Sequence, residues 1–177
     1  MSFEEKTIDS KIVYEGPVFK IRKHQVETPV GPSVRDILEH NGGSVMLGIT
    51  DEGKILMVGQ YRKALERVVL ELPAGKIDPG EDPLSTAARE IKEETGYTAE
   101  SVEHLFTITP SCGYSNEHLY IYLCKGLTPG ETDWDDTEDL DIYEFTADEL
   151  VDKVMKNEIK DAKSVAGILY ARTAGII

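Results

Sequence analysis

Five charged side chains close together, Glu81, Arg89, Glu90, Glu93 and Glu94, have the types and spacing to do chemistry. They lie in GKIDPGEDPLSTAAREIKEETGY, residues 75–97, which reads as G-x5-E-x7-R-E-U-x-E-E-x-G-U, with U a bulky apolar residue. Asp82 followed by Pro83 is a helix start, because the aspartate accepts from free backbone N–H groups and proline at the first helical position gives up no needed donor. Gly96 is the stop, since glycine takes the left-handed geometry common just past a helix end. Leu84, Ala87, Ala88 and Ile91 recur at i, i+3, i+4 and i+7, which predicts one buried stripe. Glu90 and Glu94 flank that stripe one turn apart, and Glu93 lies further round.

This placement costs a purely structural helix. Like charges one turn apart destabilise by roughly 0.2–0.5 kcal/mol, and anions in a last turn face the wrong end of the helix dipole at roughly 0.3–1 kcal/mol. A divalent cation turns the same cluster to advantage, because magnesium takes carboxylate oxygens and water and helps hold substrate phosphates. The bland alternative is a solvated acidic face with an Arg89–Glu93 pair. An acidic helix preceded by a glycine loop that can approach a ligand points instead to phosphate chemistry, in which metal ions neutralise charge and generate the attacking hydroxide. It does not name a substrate.

Several elements must position that stretch. Residues 11–40 read as extended segments, with PVGP turning the chain between the last two, and Asn41-Gly42-Gly43 marks a boundary. Val18, Phe19, Ile21 and Val26 form an apolar face that needs cover from the main domain or a second subunit. This divides the chain into a β-rich region 1–43 and a domain 44–177. The domain opens with SVMLGIT and KILMVGQY, two apolar runs joined by a short turn at Asp51-Glu52-Gly53, which predicts a hairpin. RVVLELP is a further strand, leading into loop 73–82 and a helix over 83–95. SVEHLFTI and HLYIYLCKGL are strands with TPSCGYSNE between them, and TPGETDWDDTEDLD is an acidic loop. DIYEF is the last strand, Thr146 and Glu149 open a capping box for a helix to about Asn157, and residues 161–173 close the chain as a helix. Strands on both sides of a helix fit mixed α/β layers rather than a doubly wound sheet.

A chain of 177 residues suits one domain of ordinary size with a small appendage. Its net charge of −14 argues against nucleic acid or an anionic membrane as partner and favours cations. No apolar run is long enough to span a bilayer, and MSFEEKTIDS lacks a signal peptide's basic and apolar regions, so the expected location is cytoplasmic. Cys112 and Cys124 are too few for a disulfide scaffold and read as reduced thiols, with one bridge left open. Cys112 has no evident histidine partner to make it a nucleophile, and His24, His40, His104 and His118 show no ligand spacing.

Residues 75–97 resemble the box of Nudix hydrolases, which cut a pyrophosphate bond in a nucleoside diphosphate linked to another moiety. The one departure within the box is Tyr97, an aromatic where an aliphatic is usual. The resemblance runs along nearly the whole chain to the ADP-ribose pyrophosphatase branch, through EEKTI, VRDILEHNG, VGQYRKALERVVLELPAGK and a late DAKS. It implies an α/β/α sandwich around a mixed sheet, with a small β-rich N-terminal region through which such enzymes form intertwined homodimers. It implies that Glu90 and Glu94 bind magnesium, which manganese can replace, with the backbone carbonyl of Ala74. Glu93 is implied as a further ligand or a base beside one, and Arg89 as the cation that orients the glutamates. Gly75 would let the loop come close without a side chain in the way.

On the substrate side, Arg35 and Arg62 match positions that contact ADP-ribose in similar enzymes, an arginine fork suiting phosphate. Glu71 and Glu117 match positions near the terminal ribose or adenine, with surface or strand-edge salt bridges as the alternative. A further glutamate is implied in the loop before the last strand, where Glu138 is the best match among Asp133, Asp135, Asp136, Glu138 and Asp139. Such enzymes usually carry a Ser-Pro-Gly loop, and here Ser111-Cys112-Gly113 puts cysteine at the proline. The implied function is magnesium-dependent hydrolysis of ADP-ribose to AMP and ribose 5-phosphate, extending to other ADP-sugars. The alternatives are a Nudix hydrolase for another nucleoside diphosphate derivative and a non-catalytic sensor of such a ligand. A sensor would be expected to have lost box carboxylates, and Glu90, Glu93 and Glu94 are all present.

Overall fold

The computed structural model describes residues 3–134 and 139–177. Its contacts divide the chain into two compact units, one made of Met1–Gly42 with Thr109–His118 and the other of Gly43–Ile108 with Leu119–Ile177. Among the described residues no helix is long and apolar enough to cross a membrane.

The first unit is built on an antiparallel sheet in the order β1 (Lys6–Glu15), β2 (Lys20–Thr28), β3 (Gly31–Glu39). The β2–β3 turn closes where Gly31 adopts φ 126°, a backbone geometry that side chains disfavour, and Thr28 Oγ1 donates to its carbonyl at 2.8 Å. Segment 109–118 joins this sheet through Leu38, whose N–H donates to the Tyr114 carbonyl and whose carbonyl accepts from Asn116. Val26 is buried, whereas β1 is exposed along its whole length.

The second unit holds a mixed sheet in the order β7 (Ala74–Lys76), β4 (Gly43–Gly48), β9 (Leu119–Pro129), β8 (Tyr97–Ile108). An antiparallel sheet accompanies it in the order β10 (Leu140–Phe145), β5 (Ile55–Arg62), β6 (Arg67–Glu71). Among the described residues the only parallel pairing in the mixed sheet is β4 with β9, from Gly43 beside Leu119 to Gly48 beside Cys124. Among the described residues three helices complete the unit, α1 (Pro83–Thr95), α2 (Ala147–Met155) and α3 (Ala162–Thr173).

The predicted turn at Asp51-Glu52-Gly53 closes, with the Thr50 N–H donating to the Lys54 carbonyl at 2.8 Å, but the two strands do not go on to pair as a hairpin. β4 and β5 belong to different sheets and touch, among the described residues, through an isolated Ile49–Ile55 bridge. Burial gives the reason: β4 is buried at all six positions and β5 over Ile55–Gly59, so each run needs cover on both faces. Alternate residues supply two cores. Val45, Leu47, Ile55, Met57, Ile121 and Leu123 pack with Leu150, Ile159, Ile168 and Ala171 of the C-terminal helical region. Their neighbours Met46, Leu56, Tyr122 and Cys124 pack with Ala87 and Ile91 of α1. Helices on opposite sides of strands with side-chain period two make the layered α/β architecture expected from the sequence.

The buried face of α1 also differs from the predicted stripe. Leu84 and Ala88 are exposed, and the buried residues are Thr86, Ala87, Ile91, Glu94 and Thr95. The period is helical as predicted, but the face centres on Ala87, Ile91 and Glu94, so a carboxylate takes a place where apolar counting puts alanine and leucine. α2 ends two residues short of the predicted Asn157, and its Thr146–Glu149 capping box is formed in both directions.

Candidate active site

The α1 helix is fixed at both ends by groups named in its sequence. The Asp82 side chain accepts from the N–H groups of Leu84 and Ser85, each at 3.1 Å, with Pro83 opening the helix. At the other end Gly96 sits at φ 76° and donates its N–H to Lys92 O. A Cβ there would also come within 2.7 Å of the Gly130 carbonyl, so both backbone geometry and space require glycine. The start of the acidic loop caps the last turn: Asp133 N–H donates to Glu93 O and the Trp134 indole N–H to Glu94 O, both at 3.0 Å.

Arg89 organises the carboxylates. Its Nε and Nη2 grip both oxygens of Glu81 at 3.0 and 2.9 Å, and its Nη1 donates to Glu90 at 2.8 Å and to Glu93 at 2.7 Å. One nitrogen thus gathers an oxygen from each of two glutamates. The Arg89 bonds hold the Glu81 carboxyl far below its ordinary 4.5, at about 2, with Thr86 Oγ1 and the Asp78 N–H adding further donors. The same ring of carboxylates holds the Arg89 proton more tightly than usual. Glu94 is buried and accepts from the Ala74 N–H at 3.0 Å, tying α1 to β7. Next to Ala74, Gly75 makes room for Glu90: a Cβ there would lie 1.8 Å from the Glu90 carboxyl carbon.

A depressed folded-state value for Glu81 has a defined sign. Its contribution to stability is complete above pH 4.5 and is lost as the pH falls toward about 2. Urea midpoints of wild type and Glu81→Gln are therefore expected to differ most near neutrality and to converge between pH 4.5 and 2. A constant difference across that range would mean that the Arg89 grip does not set the proton affinity of Glu81.

These residues suit a divalent ion of the magnesium kind. Among the described residues no three His, Cys, Asp or Glu side chains form a ready-made cage. Magnesium does not need one, since it is held through one or two carboxylates and keeps positions for water and substrate phosphate. Glu90 and Glu93 converge, Glu94 is buried beside them in the same turn, and three of the four glutamates share one guanidinium. That leaves an excess of negative charge for a cation to neutralise.

A second polar cluster lies in the same unit. Arg62 Nε donates to Glu71 Oε1 at 2.7 Å, and Lys163 Nζ donates to Glu71 Oε2 and lies 3.1 Å from Asp161. Burial works against the Arg62 charge, but the Glu71 bond and the fields of Glu94 and Asp161 raise its proton affinity above the ordinary value. Burial likewise opposes the Asp161 carboxylate, and Lys163 and Ser164 more than offset it, lowering its value. Ser164 Oγ donates to Asp161 and accepts the Leu72 N–H, so the start of α3 is bolted to the chain just before Ala74. The resemblance includes Asp161, Lys163 and Ser164 in its late DAKS without a role for them, and places Arg62 and Glu71 at the substrate. A usable signal was present: Lys163 puts a cation in the first turn of α3, the wrong end of that helix for positive charge.

Arg35 and Glu117 belong to the first unit. Arg35 grips Glu5 through Nε and Nη2 at 2.9 and 2.6 Å and donates Nη1 to Ser33 Oγ. Glu117 lies 3.5 Å from His40 Nδ1. Glu138, with Asp135 and Asp136, lies outside the described residues. Cys112 is exposed and Cys124 buried, both free, and burial pushes the Cys124 thiol up to about 12.

Residues 40–166 match the family model described as NUDIX domain. The chain is 42% identical over 171 residues to the methanol dehydrogenase activator of Bacillus methanolicus, an alignment covering 95% of this chain and 92% of that protein. It is 40% identical over 172 residues to the ADP-ribose pyrophosphatase of Bacillus subtilis (strain 168), covering 96% of this chain and 93% of that one. A crystal structure described as an ADP compounds hydrolase superposes with a TM-score of 0.85 over the whole of both chains at 20% identity, a likeness of fold.

Proposed function

From the premise that this chain belongs to the Nudix family, we propose that it is a pyrophosphatase that hydrolyses ADP-ribose to AMP and ribose 5-phosphate and accepts other ADP-sugars. The observation that carries the reading is the convergence of Glu90 and Glu93 on one nitrogen of Arg89, with Glu94 in the same turn and Gly75 opening the backbone to Glu90. Glu90 and Glu94 are the magnesium ligands, with the Ala74 carbonyl, and manganese can take the same place. When bound, the ion neutralises charge on the diphosphate and lowers the proton affinity of water. Arg89 aligns the two converging carboxylates, and Glu93 or Glu138 takes the proton from the attacking water. The water oxygen joins one phosphorus, the bridging P–O bond breaks, and the other phosphate leaves, giving two monophosphates. Arg62 and Arg35 bind the substrate's anionic groups, Glu71 and Glu117 flank its ribose or adenine end, and the working form is a homodimer.

Incubation with ADP-ribose and magnesium, followed by chromatography, is expected to yield AMP and ribose 5-phosphate in equal amounts. Chelation should stop turnover and added magnesium restore it. No AMP, with rapid cleavage of another nucleoside diphosphate derivative, would move the enzyme out of the ADP-ribose branch.

A further inference from the structure

The buried cluster around Glu71 divides that carboxylate between two cations. Glu71 and Lys163 have side chains 3% and 9% exposed, so their charges persist below the surface only as a compensated set with Arg62 and Asp161. A carboxylate beside a single arginine commonly takes its fork through both oxygens. Here Oε2 is held by Lys163, and Arg62 reaches Oε1 through Nε alone. Among the described residues neither η nitrogen of Arg62 has a hydrogen-bond partner, and its side chain is 42% exposed. The arginine is anchored at one nitrogen and open along its outer edge.

We propose that Lys163 is a positioning residue for substrate recognition: by occupying the second oxygen of Glu71, it keeps the Arg62 fork from closing on that carboxylate. The η edge of Arg62 is thereby reserved for a phosphate oxygen of a nucleoside diphosphate. Asp161 holds the ammonium in place from the N-cap of α3. The inference rests on the assignment of Arg62 to the substrate. Without Lys163, a second Arg62 nitrogen can turn onto Oε2, and a donor meant for the ligand is spent on the protein.

Steady-state kinetics of K163M, R62K and the double variant with ADP-ribose and magnesium test this. K163M is expected to raise KM roughly ten- to hundred-fold, the worth of a charged hydrogen bond, with kcat nearly unchanged. R62K, which keeps the charge but has no fork, is expected to raise KM similarly, and K163M should add little in that background. An unchanged KM in K163M, or effects of the two substitutions that add in full, would overturn the proposal. Should K163M not fold, R62K decides alone, since an unchanged KM there leaves the fork without a role. Calorimetric binding of inorganic pyrophosphate with magnesium needs no turnover and is expected to weaken in K163M by a similar factor. Equal binding by wild type and K163M would overturn the positioning role even if ADP-ribose proved not to be the substrate. Absence of AMP from wild type, by contrast, bears on the proposed function alone.

Discussion

Replacing Gly75 with alanine is expected to remove most of the activity while leaving the protein folded. The added Cβ would lie 1.8 Å from Cδ of Glu90 and 2.1 Å from its Cγ and Oε1, distances at which both cannot stay. What must give is the end of a flexible side chain rather than backbone, so the carboxylate swings aside. Gly75 is not among the residues with positive φ, so alanine is tolerated by the main chain. Displacement of a reacting group by about 1 Å can cost about 100-fold, and a fall in kcat/KM of at least that size is expected. Stability should stay within about 1 kcal/mol. Activity near the wild-type level would mean that Glu90 does not act from the place where the structure holds it.

Glu94→Gln should separate charge from architecture at the other end of the same turn. Glutamine keeps an oxygen to accept the Ala74 N–H, so the tie between α1 and β7 survives and the melting temperature should move by no more than about 4 °C. The negative charge is lost, and with it a proposed ligand. Removal even of groups that only support metal ligands costs about 10- to 100-fold, so kcat/KM is expected to fall by at least about 100-fold, with partial recovery at high magnesium. Turnover retained at ordinary magnesium would show that Glu94 serves the fold alone.

The helix that carries the site was legible because its signals are local: Asp82, Pro83 and Gly96 act within a few residues of the ends they define. The two glutamates in its last turn were legible as a misplacement, since local electrostatics disfavours them. Pairing was harder to read. SVMLGIT and KILMVGQY carry the same apolar run whether they face each other in one sheet or stand in two, and only the need to cover both faces decides. Lys163 and Glu71 meet across 92 positions of sequence, and residues 109–118 find Leu38 through backbone bonds that no side-chain pattern announces. The buried position of Glu94 escaped the apolar count because its burial follows from a bond to Ala74 rather than from hydrophobicity.

The division of β4, β5 and β9 between two cores has a consequence for how the molecule can change over time. Adjacent residues such as Met46 and Leu47 answer to opposite sides of the strands. The backbone between them acts as a partition, with its ladder of hydrogen bonds resisting displacement from either side. Side chains packed with α2 and α3 can be exchanged and refitted among themselves while the seating of α1, and so the aim of its carboxylates, is sheltered. Two polar bonds tie α3 to the segment leading into Ala74, Ser164 with Leu72 and Lys163 with Glu71. Drift in the C-terminal helices would reach the candidate site by way of that segment, through these bonds and through the packing of Leu72 and Ala74.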